Sequence, residues 1–200
     1  MKQIFEIKNR EIIENMLESI EYGTLAICHK NRPYSIPLNF VNLGDFIYFH
    51  GSKKGRKIDI LQENSFASFS VVENFSLIAS FFSSKDGLAC PATQFFKSII
   101  IDGSVAFVEE YEEKVEVMQA LMQKLQKEGK YRALDEEVYK KALNATTIYK
   151  LTPYETRAKF KFGQHLNRER FEMIIEHLQE RGTLRDLQTI EMMKEFKNGL

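Results

Sequence analysis

Thr24-Leu25-Ala26-Ile27-Cys28-His29, then Lys30-Asn31-Arg32-Pro33, then Tyr34-Ser35-Ile36-Pro37-Leu38-Asn39-Phe40-Val41 reads as strand, turn, strand. The runs are short and mix β-branched and aromatic residues with polar ones, which suits a pleated surface. Asn31 tolerates a left-handed backbone and Pro33 fixes φ, so the segment between them turns the chain. Pro37 removes a ladder donor and marks an edge, a bulge or a break. Upstream, Asn9 can cap a helix whose apolar residues Ile12, Ile13, Met16, Leu17 and Ile20 share one face, with Gly23 as its expected stop. Downstream, Gly44-Asp45 turns the chain into a third strand, Phe46 to His50.

The same pattern continues. Gly51 to Gly55 reads as a loop and Arg56 to Gln62 as a short helix. Phe66 to Glu73 and Ser76 to Phe82 read as two strands, followed by a loop to Thr93. Gln94 to Val108 reads as a strand pair or one bent strand, broken near Asp102-Gly103. Tyr111 to Lys127 reads as a helix with Val115, Met118, Leu121, Met122 and Leu125 on one face, and acids crowd its first turn, where the helix dipole favours them. A short helix near Asp135 to Leu143, a strand from Thr146 to Leu151 and an extended segment from Arg157 to Phe162 complete the β region. From Asn167 the chain is charged and helical, split at Gly182. Short strands with a helix inserted late predict a mainly β fold: a closed antiparallel barrel with peripheral helices. The expected domains are a barrel over residues 1–162 and a C-terminal helical extension over 163–200.

Composition narrows the function. Twenty-eight basic residues balance twenty-eight acidic ones, so no net field steers the chain to nucleic acid or an anionic membrane. The N-terminus MKQIFEIKNREII has no apolar signal region, and no apolar run approaches the ~20 residues that cross a bilayer. A cytoplasmic protein is expected, with neither nucleic acid nor membrane as partner. Cys28 and Cys90 fit reduced, mostly buried thiols better than a disulfide framework. Sixteen phenylalanines and eight tyrosines suit a barrel interior and strand pairs; they also suit a planar cofactor. No H-E-x-x-H, C-x-x-C or G-x-S-x-G spacing occurs, so no metal site is expected and a hydrolase is disfavoured. His29, His165 and His177 read as surface histidines.

The most informative motif is Ile47-Tyr48-Phe49-His50-Gly51-Ser52-Lys53-Lys54-Gly55-Arg56-Lys57. A strand ends in a histidine and a glycine-flanked loop leads into a helix, loop and helix start together carrying four cations. Backbone N–H groups at a helix start, with Arg and Lys beside them, are what a phosphate needs. The glycine spacing is not that of a Walker loop. The competing reading is a solvated basic loop.

Gly23-Thr24-Leu25-Ala26, Pro33 to Val41, Ile47 to His50, Gly55-Arg56-Lys57 and Asn64, in this order, resemble the flavin-binding split-barrel family related to pyridoxamine phosphate oxidase. The nitroimidazole-reductase-like branch is the nearest pattern. Phe96-Lys97-Ser98-Ile99-Ile100 with Gly103, and Cys90 upstream, resemble that branch's next motif. The likeness runs over roughly residues 10 to 151. It implies a six-stranded antiparallel split β-barrel and a homodimer with flavin sites at the subunit interface. It further implies that Ser35, Ile36, Pro37, Leu38 and Asn39 line the flavin ring. His50, Gly51 and Ser52 would lie by the ribityl chain or phosphate, and Arg56 and Lys57 would hold the phosphate. Lys97 and Ser98 would reach the flavin from a neighbouring strand. Lys159-Phe160-Lys161-Phe162-Gly163-Gln164 resembles a Lys-x-Lys-x-x-Gln run of flavin-binding regulators of this fold, which adds Lys159, Lys161 and Gln164 to the cofactor set; an edge strand protected by lysines is the alternative. The oxidase family's Arg-x-Val-Leu-Leu-Lys strand and its C-terminal Trp and Arg signature are absent, which weighs against oxidation of pyridoxamine phosphate itself.

The resemblance therefore implies an FMN-binding oxidoreductase reducing a small organic acceptor such as a nitro compound or quinone. NAD(P)H is a candidate reductant and His50 the first candidate for a catalytic role. FAD or haem are alternative ligands. A haem- or flavin-binding sensor or store, or a haem-degrading protein of the same fold, is the alternative function.

Overall fold

The computed structural model describes residues 2–197. Seven strands are present: β1 (Glu6–Ile7), β2 (Tyr22–His29), β3 (Arg32–Leu43), β4 (Phe46–Gly51), β5 (Phe66–Ile78), β6 (Thr93–Val108) and β7 (Thr147–Lys161). The helices are α1 (Arg10–Ser19), α2 (Arg56–Glu63), α3 (Tyr111–Leu125), α4 (Lys140–Ala145), α5 (Arg168–Arg181) and α6 (Leu184–Lys197). The strand order is β1-β7-β4-β3-β2-β5-β6, and β7 also pairs with β6. Six strands thus close into a ring, with β1 added beside β7, as the sequence predicts. The registered pairs are antiparallel.

Two compact units divide the chain: Asn9–Val71 with Ile99–Arg157, and Met1–Lys8 and Val72–Ser98 with Ala158–Leu200. In the first, Leu25, Phe40, Phe49, Phe69, Ile99, Tyr149 and Leu151 are wholly buried. Val117 and Leu121, one turn apart on α3, join Val41, Tyr48, Val108 and Ile148 in an adjoining cluster. Val117 takes the buried place expected for Val115, which is only half-buried. In the second unit, Phe75 and Phe95 pack against Phe162, and Phe160 and Phe162 meet Phe196 of α6. The phenylalanine excess is therefore largely core.

Several boundaries differ from the sequence reading. Gly23 does not stop α1; the helix ends at Ser19, and Gly23 lies inside β2. A Cβ there would fall 2.4 Å from the Phe69 ring, so the site needs a hydrogen because of close approach. β5, β6 and β7 are each one long strand where two segments or a break were expected. At the expected break in β6, Gly103 lets the Thr152 carbonyl come within 2.3 Å of where a Cβ would sit, so the glycine marks contact with β7. Both cysteines are exposed, contrary to the expectation of burial, because Cys28 lies near the end of β2 and Cys90 in the loop before β6. No helix among the described residues is long and apolar enough to cross a membrane.

Candidate functional site

β3 has two halves. Phe40 to Leu43 pair with β4, whereas Arg32 to Asn39 pair only with β2 among the described residues. Pro37, opposite Thr24, sits in the half with a free edge, where a missing N–H costs no ladder bond. The backbone of Ser35, Ile36, Pro37, Leu38 and Asn39 is thus free to bond a ligand on one side. Along it Ser35, Pro37 and Asn39 are exposed while Ile36 and Leu38 are half-buried. The Asn39 amide is engaged, donating to the Glu21 carbonyl at 3.0 Å.

The α2 start is joined to this edge. The Arg56 guanidinium lies 4.3 Å from the Tyr34 ring centroid, a cation–π contact from the helix to the first residues of β3. Gly55, at φ +119°, occupies a region that side chains rarely adopt, which makes the abrupt entry into the helix. No side chain caps its first N–H groups.

Lys57 points the other way, under the end of β4. Its ammonium is 4.3 Å from the Tyr149 ring and 5.5 Å from Phe49. A Cβ on Gly51 would approach its Nζ within 2.6 Å, so Gly51 makes room for this amine. The Tyr149 hydroxyl donates to the Ser52 carbonyl at 3.3 Å, tying the loop to β7. Burial pushes the Lys57 pKa down, and among the described residues no carboxylate pairs with Lys57 or Arg56. His50 retains solvent contact, yet the protein crowding it and, second, the Lys57 ammonium lower its pKa, which favours the neutral ring.

The first unit thus brings together Ser35 to Asn39, His50, Gly51, Ser52, Arg56 and Lys57. The other named residues belong to the second unit. Lys97 already pairs with Glu73 at 3.3 Å and lies over Phe75 and Phe160. Ser98, next to it, is half-buried at the unit's boundary. The Lys159 ammonium is 5.2 Å from the Phe96 ring. Lys161 donates to the Thr93 hydroxyl. Gln164 accepts from the Phe162 N–H at 2.8 Å and donates to the Phe160 carbonyl at 2.8 Å, so its amide is spent on the turn after β7. Asn64, in the first unit, donates to the distant Cys28 carbonyl at 3.2 Å and accepts from the Phe66 N–H at 3.1 Å.

The profile of the pyridoxamine 5'-phosphate oxidase family matches residues 9–160. The chain belongs to that family. Solved members of the fold agree. The chain is similar to a putative 5-nitroimidazole antibiotic resistance protein from Bacteroides thetaiotaomicron, at 21% identity and a TM-score of 0.64, with 77% of this chain and 85% of that one covered. It is also similar to an FAD- and heme-binding protein from Mycobacterium smegmatis, at 22% identity and a TM-score of 0.64, covering 78% and 73%. A flavocytochrome from Azotobacter vinelandii aligns at 20% identity and a TM-score of 0.66, covering 80% and 72%. No curated protein matches the chain significantly. This pyridoxamine 5'-phosphate oxidase family member therefore has the split-barrel fold. Its family match encloses β2 to most of β7 and with them every site residue named above in the first unit.

Arg56 and Lys57 were legible as a pair, but their different settings were not. One lies over a tyrosine at the surface, and the other is half-buried under aromatic rings. The sequence shows neither the free half-edge of β3 nor the spent amide of Gln164.

Proposed function

We propose that the chain is a cytoplasmic FMN-binding flavoprotein, acting as a homodimer, that reduces a small organic acceptor such as a nitro compound or a quinone. The observation that carries the reading is Lys57: a half-buried ammonium without a carboxylate partner, beside Arg56 at an uncapped helix start. An unpaired half-buried cation is costly unless an anion completes it; a terminal phosphate at the α2 start would supply that anion, and Arg56 could add a bidentate contact. Residues of the free β3 half-edge, Ser35 to Asn39, would offer backbone donors and acceptors to the polar rim of the ring. His50, Gly51 and Ser52 would border the chain between ring and phosphate. Bound flavin supplies the hydride chemistry, and the protein supplies binding, orientation and electrostatics. A neutral His50 beside Lys57 can donate one hydrogen bond and accept another near the ligand without adding charge.

The purified protein tests this directly. Flavin absorption bands, release of FMN on denaturation, and bleaching by NAD(P)H followed by reoxidation with a nitroaromatic or a quinone are expected. A colourless protein that does not bind added FMN would refute the reading, and a haem spectrum would replace it with the sensor or storage alternative.

A further inference from the structure

The loop before β6, the end of β7 and the start of α5 enclose a cavity of about 230 Å³ in the second unit. Three basic side chains line it: Lys161, His165 and Arg170. Its remaining wall is chiefly apolar, including Phe95 and Ile174, and it contains no carboxylate. An adjoining cavity of about 440 Å³ shares Cys90 and Arg170 with it and holds Asp86 and Glu169. Neither acid neutralises the smaller cavity: among the described residues no ion pair is made by Lys161 or Arg170. Asp86 is occupied with the Ser84 hydroxyl at 3.0 Å.

The two cations are aimed rather than loose. Arg170 donates through Nε to the Ser83 carbonyl at 3.1 Å and through Nη2 to the Ser83 hydroxyl at 3.2 Å, which leaves its other terminal nitrogen free. Lys161 donates one proton to the Thr93 hydroxyl and keeps two. His165 stands edge-on to Phe5, with ring centroids 5.4 Å apart. Burial first, and then the charges of Lys2, Lys161, Arg170 and Lys197, lower its pKa. Positive charge gathered in a small apolar-walled space favours an anionic ligand with an apolar body.

We propose that this cavity binds a small organic anion, with its apolar body against Phe95 and Ile174 and its carboxylate or phosphate held by Lys161 and Arg170. The volume lies below the ~300 Å³ at which drug-sized pockets begin, so the ligand is small. The site stands independently of the flavin reading. The resemblance that lists Lys161 among flavin contacts makes the competing prediction that the cavity takes part in flavin binding.

Calorimetric titration of the protein as purified, with benzoate, phenyl phosphate and neutral benzyl alcohol, tests the proposal. Saturable binding of at least one anion is expected, with benzyl alcohol at least tenfold weaker. The better of the two anions identifies the head group. Lys161→Met and Arg170→Gln are each expected to weaken it about tenfold, and Arg170→Gln to leave FMN affinity unchanged. The His165 ring-proton signals should shift on saturation, a readout inside the cavity, and thermal melts confirm that each variant is folded. Equal binding of benzyl alcohol, no saturable binding, or unchanged anion affinity in folded Lys161→Met would overturn the proposal. Loss of FMN retention in Lys161→Met would also overturn it and assign the cavity to the flavin. Failure of FMN binding in the parent protein, with anion binding intact, would sink the flavin reading and leave this site standing.

Discussion

The hydroxyl of Ser76, on β5, donates to the carboxylate of Asp186, on α6, at 2.5 Å across 110 residues of sequence. Asp186 is wholly buried and also accepts from Arg181 Nε at 2.9 Å and from the Thr183 hydroxyl at 2.7 Å. Thr189 adds its hydroxyl, which accepts from the Ser76 N–H at 3.1 Å. One carboxylate therefore binds the α5–α6 corner to β5.

Replacing Asp186 with Ala should remove about 3 kcal/mol of stability, because it orphans several buried donors at once. The Arg181 guanidinium is the main reason the Asp186 pKa lies well below the usual carboxylate range. A depressed folded pKa gives stability that is present above the unfolded value near ~3.9 and is lost as pH falls further. Urea midpoints between pH 2.5 and 6 should fall less steeply for Asp186→Asn than for the parent. Parallel curves would contradict the assignment.

Lys124, on α3, donates to the Leu17 carbonyl at 2.7 Å, and its ammonium lies 3.7 Å from the Phe40 ring. Burial outweighs Glu18 and Glu21 and lowers its pKa to about 8. The unfolded chain holds this proton more tightly, so stability should rise with pH between about 8 and the ordinary lysine value. Comparing urea midpoints at pH 7.5 and 9.5, the gain should be smaller in Lys124→Met. An identical gain would show that the amine titrates normally.

Lys57→Met should weaken FMN binding by roughly 1.5–3 kcal/mol, the worth of a charge-assisted contact. Fluorescence quenching of added FMN measures it. Arg56→Gln should cost a similar amount and the double variant more than either. Unchanged affinity in the double variant would remove the phosphate from the α2 start.

Gly103→Ala should cost about 3 kcal/mol, since the added carbon would meet the backbone carbonyl of Thr152, which has little freedom to move. Gly44→Ala meets nothing within 4 Å and bears only its strain at φ +57°, about 1 kcal/mol. Chemical denaturation should rank the two in that order; the reverse ranking would refute the close β6–β7 approach.

The strands of the β2–β3–β4 region were legible because each is locally patterned and ended by turn chemistry that acts on neighbouring residues. Asn9 was legible as a helix cap for the same reason: its side chain accepts from Glu11 and Ile12, two and three residues on. Gly55-Arg56-Lys57 could be read as an anion motif because a loop entering a helix brings cations and free N–H groups together within a few residues. Tertiary contact decided the rest. Gly23 reads as a helix stop in sequence and acts as a notch for the Phe69 ring in space. Asp102-Gly103 reads as a break and is a strand crossing closely over β7. The cavity takes its three cations from one stretch, Lys161 to Arg170, but much of its wall from residues between Ile78 and Phe95, so the sequence shows the charges and not their enclosure. Backbone propensity and capping act over a few residues. Burial, charge pairing and room for a Cβ depend on what the rest of the chain brings alongside.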